Sequence, residues 1–210
     1  MKHQATIALF QYWDSLRGDR PAPQRTEIEP ADIKSLLADT FILEQDSRGE
    51  AIFRLAGTRL CAAYGRELRG YSFPVLWSQN DQRIISAHAA SVFHDNAIAA
   101  VSFEGIGAND RTATFEMVLL PLQGDDNSAR ALGVIVPTTS PYWLGATPIE
   151  ENHILSLRIV EPDSQRQLLT SRQIISGPSI MPDVMEITSH GVENGRRIKH
   201  LVVIEGGRDD

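Results

Sequence analysis

The order of β-prone and helical segments is the feature that most restricts how this chain can fold. Two β-prone runs flank the polar turn "DSRGE" in "TFILEQDSRGEAIFRLAG", a pattern that predicts a β-hairpin. A helical middle follows, and then come three strand-like runs, "AIAAVSFEGI", "RTATFEMVLLPL" and "ALGVIVPTT". We therefore predict an α+β fold in which helices cross one face of a five-stranded antiparallel sheet that contains the first pair and the last three strands.

The run "RTATFEMVLLPL" indicates how the sheet is buried. Apolar and polar side chains alternate along it, which is typical of a strand with one buried face and one wetter face. The apolar set is Ala113, Phe115, Met117 and Leu119, and the polar set is Thr112, Thr114 and Glu116.

The helical middle has recognisable boundaries. Residues 58–70 predict two short helices, the first capped by Thr58 and each ended by a left-handed glycine, Gly65 or Gly70. The segment "NDQRIISAHAASVFHDN" predicts a longer helix that is capped by Asn80 or Asp81. The predicted buried face of that helix consists of Ile85, Ala89, Val92 and Phe93.

An amphipathic helix opens the chain. In "TIALFQYWDSLRG" the apolar side chains Leu9, Phe10, Trp13 and Leu16 form one stripe over three turns. The proline-rich stretch "DRPAPQRTEIEP" follows and predicts that the helix is held away from the core. Because such a stripe usually binds a second surface, the four residues are candidates for an oligomer interface; the alternative is that the helix packs on its own sheet.

These patterns divide the chain into three parts. They are the amphipathic helix over residues 1–20, the sheet-and-helix domain over 21–145, and a C-terminal extension over 146–210. The extension has possible strands near 153–160 and 197–204, and between them a loosely structured arm over 161–195. Asp125 and Asp126 are predicted to lie in a solvated hairpin loop.

Composition and charge exclude several classes of protein. The single cysteine, Cys61, can form neither an internal disulfide nor a cysteine-rich metal site. The net charge of −7 argues against a nucleic-acid surface. No run approaches the roughly 18 apolar residues of a membrane span, and the N-terminus lacks the features of a secretory signal. We therefore expect a cytoplasmic protein without a nucleic-acid or membrane partner.

Three stretches carry a resemblance to a known family: "FQYWDSLRGDRPAPQRTEIEPADIKSLLADTFILE", "FRLAGTRLCAAYGRELRGYSFPVLW" and "LLPL…LGVIVPTTSPYWLG". Over roughly residues 9–145, and again in the closing "HLVVIEGGR", the sequence resembles a PAS-like family of alphaproteobacteria, PAS subfamily 5. The resemblance implies that residues 21–145 form a PAS-like domain of a stand-alone sensor or adaptor, with no catalytic residues assigned. It also implies a homodimer through the N-terminal helix, an unidentified protein partner and a possible small ligand.

Because PAS folds often hold a ligand between the sheet and the helices, the resemblance also implies a set of pocket candidates. Arginines near helix ends, Arg69 among them, can clamp a carboxylate or phosphate; the alternative is that they pair locally, as Arg66 can with Glu67. The aromatic residues can line a pocket or fill the core. The candidates are Arg59, Cys61, Tyr64, Arg66, Trp77 and His88.

Haem is the cofactor alternative that we test against the residues. His88 lies closer to the predicted buried face of the long helix than His94 does, so it is the better axial ligand; the alternative is a packed or partly exposed histidine. Cys61 in "TRLCAAYG" lacks the Asn-Cys-Arg neighbours of flavin-binding PAS domains. We expect it to be a small buried group, with a redox or metal-sensing role as the alternative.

Sequence motifs do not indicate catalysis. The chain has no HExxH, GxSxG or phosphate-loop pattern, and the glycines of "EGIGAND" lie between strands instead of opening a helix. The expected function is therefore a regulatory module, not an enzyme, that senses a small molecule or binds protein partners. A haem-loaded sensor and an enzyme of unrecognised type remain the alternatives.

Overall fold

The computed structural model describes residues 1–124, 129–161, 196–198 and 201–203. Its α-helices are α1 (Gln4–Arg17), α2 (Thr58–Ala63) and α3 (Gln79–His94). Its strands are β1 (Thr40–Gln45), β2 (Ala51–Ala56), β3 (Ile98–Gly107), β4 (Arg111–Leu122), β5 (Arg130–Pro137), β6 (Ile149–Val160), β7 (Arg196–Ile198) and β8 (Leu201–Val203). Short 3₁₀ turns occur at Arg25–Glu27, Leu37–Asp39, Pro74–Leu76 and Ala108–Asp110.

The predicted fold class is confirmed, with one strand more than the sequence predicts in the main sheet. The strand order is β2-β1-β5-β4-β3-β6, and neighbours pair antiparallel. The first hairpin and the last three predicted strands therefore share one sheet. The sixth strand, β6, begins at Ile149, includes the run predicted near 153–160, and pairs with β3 along its length.

A second compact unit begins at Arg172. Within it, β7 and β8 pair antiparallel over Arg196–Ile198 and Leu201–Val203, in the region where the sequence predicts a strand. The arm predicted over 161–195 lies outside the described residues from residue 162 onward, and so do Asp125 and Asp126. No helix in the described part of the chain is long and apolar enough to cross a membrane.

The helical middle covers one face of the sheet. Along α3 the side chains of Ile85, Ala89 and Val92 are buried, as predicted, and Phe93 is partly buried. The helix is capped by Ser78, two to three residues before the predicted cap, and the Ser78 hydroxyl accepts from the Asp81 backbone N–H. The second short helix predicted before Gly70 is absent from this described segment. Instead, the chain there runs beside β2, because Gly70 donates its backbone N–H to the carbonyl of Phe53.

The opposite face of the sheet is also apolar, and α1 covers it. The alternation of β4 stops at Glu116: Val118, Leu120 and Leu122 are buried in a second core on this face. Leu9, Phe10 and Trp13 pack into that core and are at most 1% exposed. The expectation that α1 stands apart from the core is therefore wrong, because the outer side of β4 and β5 needs an apolar cover.

This packing also changes the interface prediction. The helix packs on its own sheet, which was the alternative to an oligomer interface. The sheet contacts are made by Leu9, Phe10 and Trp13, and Leu16 is partly buried beside them. The exposed side of α1 carries Gln4, Ala8, Gln11 and Ser15. A homodimer stays a prediction, but in this fold a second subunit would meet the polar side of α1.

Two polar contacts fix α1 on the sheet. The indole Nε1 of Trp13 donates to the carbonyl of Pro121 on β4 at 2.7 Å. The carboxylate of Glu116 accepts from the backbone N–H groups of Lys2 and His3, at 2.9–3.0 Å, and from the hydroxyl of Thr6. Glu116 thus binds the two residues that lead into α1 and places a negative charge at the positive N-terminal end of the helix dipole.

Replacement of Trp13 tests the packing of α1. We expect Trp13→Ala to lower the free energy of unfolding by about 3–5 kcal/mol, because it leaves a cavity and an unpaired carbonyl at Pro121. Ile84→Ala, at a site that is 46% exposed on α3, is the control and should change it by less than about 0.5 kcal/mol. Urea unfolding measures both. Equal effects of the two substitutions would show that α1 does not pack on the sheet.

The Glu116 contact predicts a dependence of stability on pH. Burial alone would raise the pKa of Glu116, but the hydrogen bonds from Thr6, His3 and Lys2 outweigh it and lower the pKa. The carboxylate therefore stabilises the fold above the unfolded-state pKa of about 4.3, and this stabilisation is lost as the pH falls through the lower folded-state pKa.

Glu116→Gln should accordingly destabilise the protein by about 1–3 kcal/mol at neutral pH. The difference from the natural protein should shrink as the pH falls below the unfolded-state pKa. Glu104→Gln, which removes a partly buried carboxylate from the neighbouring strand β3, is the matched control. A Glu116→Gln penalty that is the same at neutral and at acidic pH would contradict the assignment.

Candidate functional site

A cavity of about 190 Å³ opens between α2, strands β4 and β5, and the segment that follows β5. Most of its lining is apolar, and one acidic and one basic residue complete it. Its walls are Leu60, Ala62, Ala63, Phe115, Ile135, Pro137, Ser140, Pro141, Leu144 and Gly145, with Asp39 and Arg59 as the charged residues. The volume is below the roughly 300–1,000 Å³ of sites for drug-sized ligands, so an occupant must be small.

The ion pair of the cavity depends on a close approach of two backbone segments. A Cβ atom on Gly57 would lie 2.3 Å from the carbonyl oxygen of Leu37, so only glycine lets α2 begin against the 3₁₀ turn Leu37–Asp39. This approach brings the Arg59 guanidinium, two residues into α2, into contact with the carboxylate of Asp39.

The two partners of this pair differ in accessibility. The side chain of Arg59 is 63% exposed, whereas that of Asp39 is 6% exposed. Burial raises the pKa of Asp39 above its usual value, although the positive charges of Arg59 and His3 act in the opposite direction. A molecule that enters the cavity therefore meets mainly the donor groups of Arg59, because little of the Asp39 side chain is exposed.

Aromatic rings fill the space between the sheet and α3. Trp77, a pocket candidate from the sequence, is 2% exposed and packs 4.9 Å from the ring centre of Phe103, which stacks on Phe115 at 5.1 Å. On the β1 side, the ring of Phe41 lies flat over β5 because Gly133 has no Cβ atom to obstruct it. The structure places Trp77 in this core and not on the cavity wall.

Tyr64, the second aromatic candidate, also lies in the interior. Its hydroxyl accepts from Nδ2 of Asn152 on β6 at 2.9 Å, and burial raises its pKa. Among the described residues, neither Nε1 of Trp77 nor Oδ1 of Asn152 has a hydrogen-bond partner, although both atoms are buried. The three side chains form a polar spot within an otherwise apolar core.

The surroundings of His88 do not fit an axial ligand of haem. Its ring lies on the partly exposed side of α3, with Nδ1 at 2.8 Å from the carbonyl oxygen of Ile84. The space beneath α3 that a haem group would need is taken by Trp77, Phe103 and Phe115. His94 is exposed, with its Nε2 at 3.1 Å from Nε2 of Gln45.

The remaining candidates lie outside the cavity. Arg66 is exposed, and its guanidinium lies 5.3 Å from the ring centre of Tyr71, which is a cation–π contact and not the local pairing with Glu67 that was the alternative to ligand binding. Cys61 is partly buried, with its Sγ 3.6 Å from Oε1 of Glu67. Burial raises the pKa of the Cys61 thiol, and the negative charge of Glu67 raises it further.

Of the six candidates, the structure thus brings Arg59 alone to the cavity wall. Two parts of the cavity were not predicted from the sequence: Asp39, which is 20 residues from Arg59 in the chain, and the wall after β5. The proline-rich stretch "PTTSPYWLG" was a sequence signal for that wall. Within the described residues, no group of three His, Cys, Asp or Glu side chains is arranged to hold a metal ion.

Comparison with known protein families gives one match over most of the described chain. A family model described as a PAS domain matches residues 1–136, which include α1 and extend almost to the end of β5. The crystal structure of the PAS domain of a protein from Colwellia psychrerythraea is similar at 16% sequence identity and a TM-score of 0.39; the match covers 53% of this chain and 98% of that one. No curated protein matches the chain.

The surroundings of Cys61 predict an unreactive thiol. The pH midpoint of its alkylation by iodoacetamide should lie above the value of about 8.5 for a free cysteine. Glu67→Gln should move the midpoint to lower pH because it removes a negative charge beside the sulfur, whereas Glu150→Gln, at an exposed position on β6, should leave it unchanged. A midpoint below that of free cysteine would instead support the redox-sensing alternative.

Proposed function

The chain belongs to the PAS domain family, and from this membership we propose that it is a signalling sensor that binds a small, largely apolar carboxylate in the cavity beside α2. A sensor or adaptor role is what PAS domains suggest in general. The specific proposal is carried by one observation: a largely apolar cavity whose lining includes the exposed guanidinium of Arg59.

The shape and lining of the cavity support a ligand with a short hydrocarbon body. The walls from α2 and β5 are aliphatic, so burial of an apolar body there is favourable at about 25 cal/mol per Å². The limited volume excludes long chains and large ring systems.

The charges of the cavity support an anionic head group. Arg59 offers several N–H donors in a planar fork, and Asp39 accepts from one of its terminal nitrogens. Since a carboxylate matches the paired donors of the guanidinium, a ligand of this class that takes the donor now used by Asp39 displaces Asp39 from Arg59.

This competition provides a route for the signal. Asp39 ends the segment that joins α1 to β1, so the ion pair connects α2 on one face of the sheet to the segment that crosses the other face. A ligand that takes Arg59 from Asp39 weakens that connection, and the changed surface is read by a protein partner.

The rest of the function is part of the same proposal. In this proposal the protein is a homodimer that acts in the cytoplasm through an unidentified protein partner and catalyses no reaction. It belongs to the alphaproteobacterial subfamily that the sequence resembles. The mass of the full chain in solution, with and without the ligand, tests the dimer.

Titration of the ¹⁵N-labelled full chain with hexanoate tests the proposed ligand class by NMR. We expect shifts at the amides of Leu60, Ala63 and Leu144, with binding in the millimolar range or tighter. Hexanol and hexylamine have the same body but different head groups, and they should bind more weakly because Arg59 prefers an anion. An absence of shifts at these amides with hexanoate would overturn the proposal.

Two matched variants locate the binding. Ser140 is exposed and lines the cavity, so Ser140→Trp should obstruct it and weaken hexanoate binding by at least about tenfold. Thr139, the exposed neighbour, does not line the cavity, and Thr139→Trp should bind as the natural protein does. Equal affinities of the two variants would place the ligand elsewhere.

A further inference from the structure

We propose that a second groove, on the face of the sheet opposite α2 and α3, binds a compact phosphorylated small molecule. The groove has a volume of about 450 Å³ and is bordered by Arg25, Arg54, Arg69 and Arg130. Ile42, Leu55 and Thr26 complete its lining. None of these residues belongs to the cavity beside α2.

The four arginines come from four separate segments that meet at the groove. Arg25 opens the 3₁₀ turn Arg25–Glu27, and its backbone N–H donates to the carbonyl of Gln123 at 2.8 Å. Arg54 lies on β2 and Arg130 on β5. Arg69 precedes Gly70, whose backbone N–H is bonded to the carbonyl of Phe53 at 2.7 Å, so this segment is held along the edge of β2.

The charges of these residues are only partly compensated. Glu44 accepts from Nε of Arg130 at 2.9 Å, and its Oε2 lies 3.9 Å from Nε of Arg54. Within the described part of the chain, no carboxylate lies at ion-pair distance from the guanidinium of Arg25 or Arg69. Among the described residues, Glu44 is thus the carboxylate at ion-pair distance from these guanidinium groups, and it contacts two of the four.

The accessibility of the groups suits ligand binding. The side chain of Arg130 is 21% exposed and is held by Glu44 at the base of the groove, whereas that of Arg54 is 57% exposed. Converging guanidinium groups of this kind bind phosphoryl oxygens through paired, charge-assisted hydrogen bonds. Leu55, which is 45% exposed, and Ile42 add an apolar floor for the organic part of the molecule.

The net charge of the chain argues against a polymeric anion as the ligand. An extended polyanion such as nucleic acid needs a broad basic face, which a chain with a net charge of −7 is poorly suited to provide. A compact anion interacts mainly with charges within about 10 Å, because salt screens the more distant ones. The groove therefore fits a small phosphate ester or polyphosphate better than a polymer or an anionic membrane.

Calorimetric titration of the full chain with inorganic pyrophosphate and with a nucleoside triphosphate tests the proposal. We expect binding that weakens as salt is raised, and a loss of at least about tenfold in affinity for Arg54→Gln or Arg69→Gln. Arg83→Gln, at an exposed position on α3, is the matched control and should leave the affinity unchanged. Since Arg54 and Arg69 are exposed, these variants should fold, which thermal unfolding checks.

Three results would overturn the proposal. They are no binding of either phosphate compound, an equal loss of affinity in Arg83→Gln, and binding of citrate as tight as that of pyrophosphate. Sedimentation with phosphatidylserine vesicles separates a soluble ligand from a lipid headgroup: retention on vesicles without pyrophosphate binding would also contradict it. Hexanoate binding to the Arg69→Gln variant should be unchanged, so failure here and failure of the proposed carboxylate sensor are distinguishable.

Discussion

The structure depends on the fact that the central strands are apolar on both faces. In β4, Met117 and Leu119 face α3, and Val118 and Leu120 face α1; all four are fully buried. A sheet of this kind must be covered twice, since each exposed face would leave a large apolar area in water. The helical middle provides one cover, and the chain has to supply the other from elsewhere. That requirement explains why α1 packs on the sheet although a proline-rich segment separates it from β1.

The two covers differ in how they pack, and this difference determines where the candidate sites lie. On the α3 side the core consists of interlocked aromatic rings, so space is left at its margin, where α2 meets β5. On the α1 side the helix covers the middle strands, and among the described residues the segments that contain Arg25 and Arg69 border the outer surface of β1 and β2. The cavity and the groove therefore both lie at the margin of the helices that cover the sheet. The segment between α1 and β1 contributes to the lining of both.

The sequence predicted the parts of the fold that are specified locally. The first hairpin, the three later strands, the buried face of α3 and the left-handed glycines Gly65 and Gly70 follow from turn residues and short periodicities. The position of α1 did not, because the apolar stripe of a helix does not state which surface it will cover. The same limit applies to the cavity: Arg59 was a candidate, but its partner Asp39 and the opposite wall at Ile135 depend on contacts between distant segments.

Net charge describes the whole chain, whereas a binding site depends on the few charges that the fold brings together. A value of −7 argues against an extended basic surface, because nucleic acid interacts with many cations at once. It carries no information about a groove in which Arg25, Arg54, Arg69 and Arg130 come from different elements and converge only in the folded chain. Because salt screens charges beyond about 10 Å, a small ligand responds to these four groups and Glu44 and is little affected by the acidic residues elsewhere. An acidic protein can therefore present an anion site that its composition does not suggest.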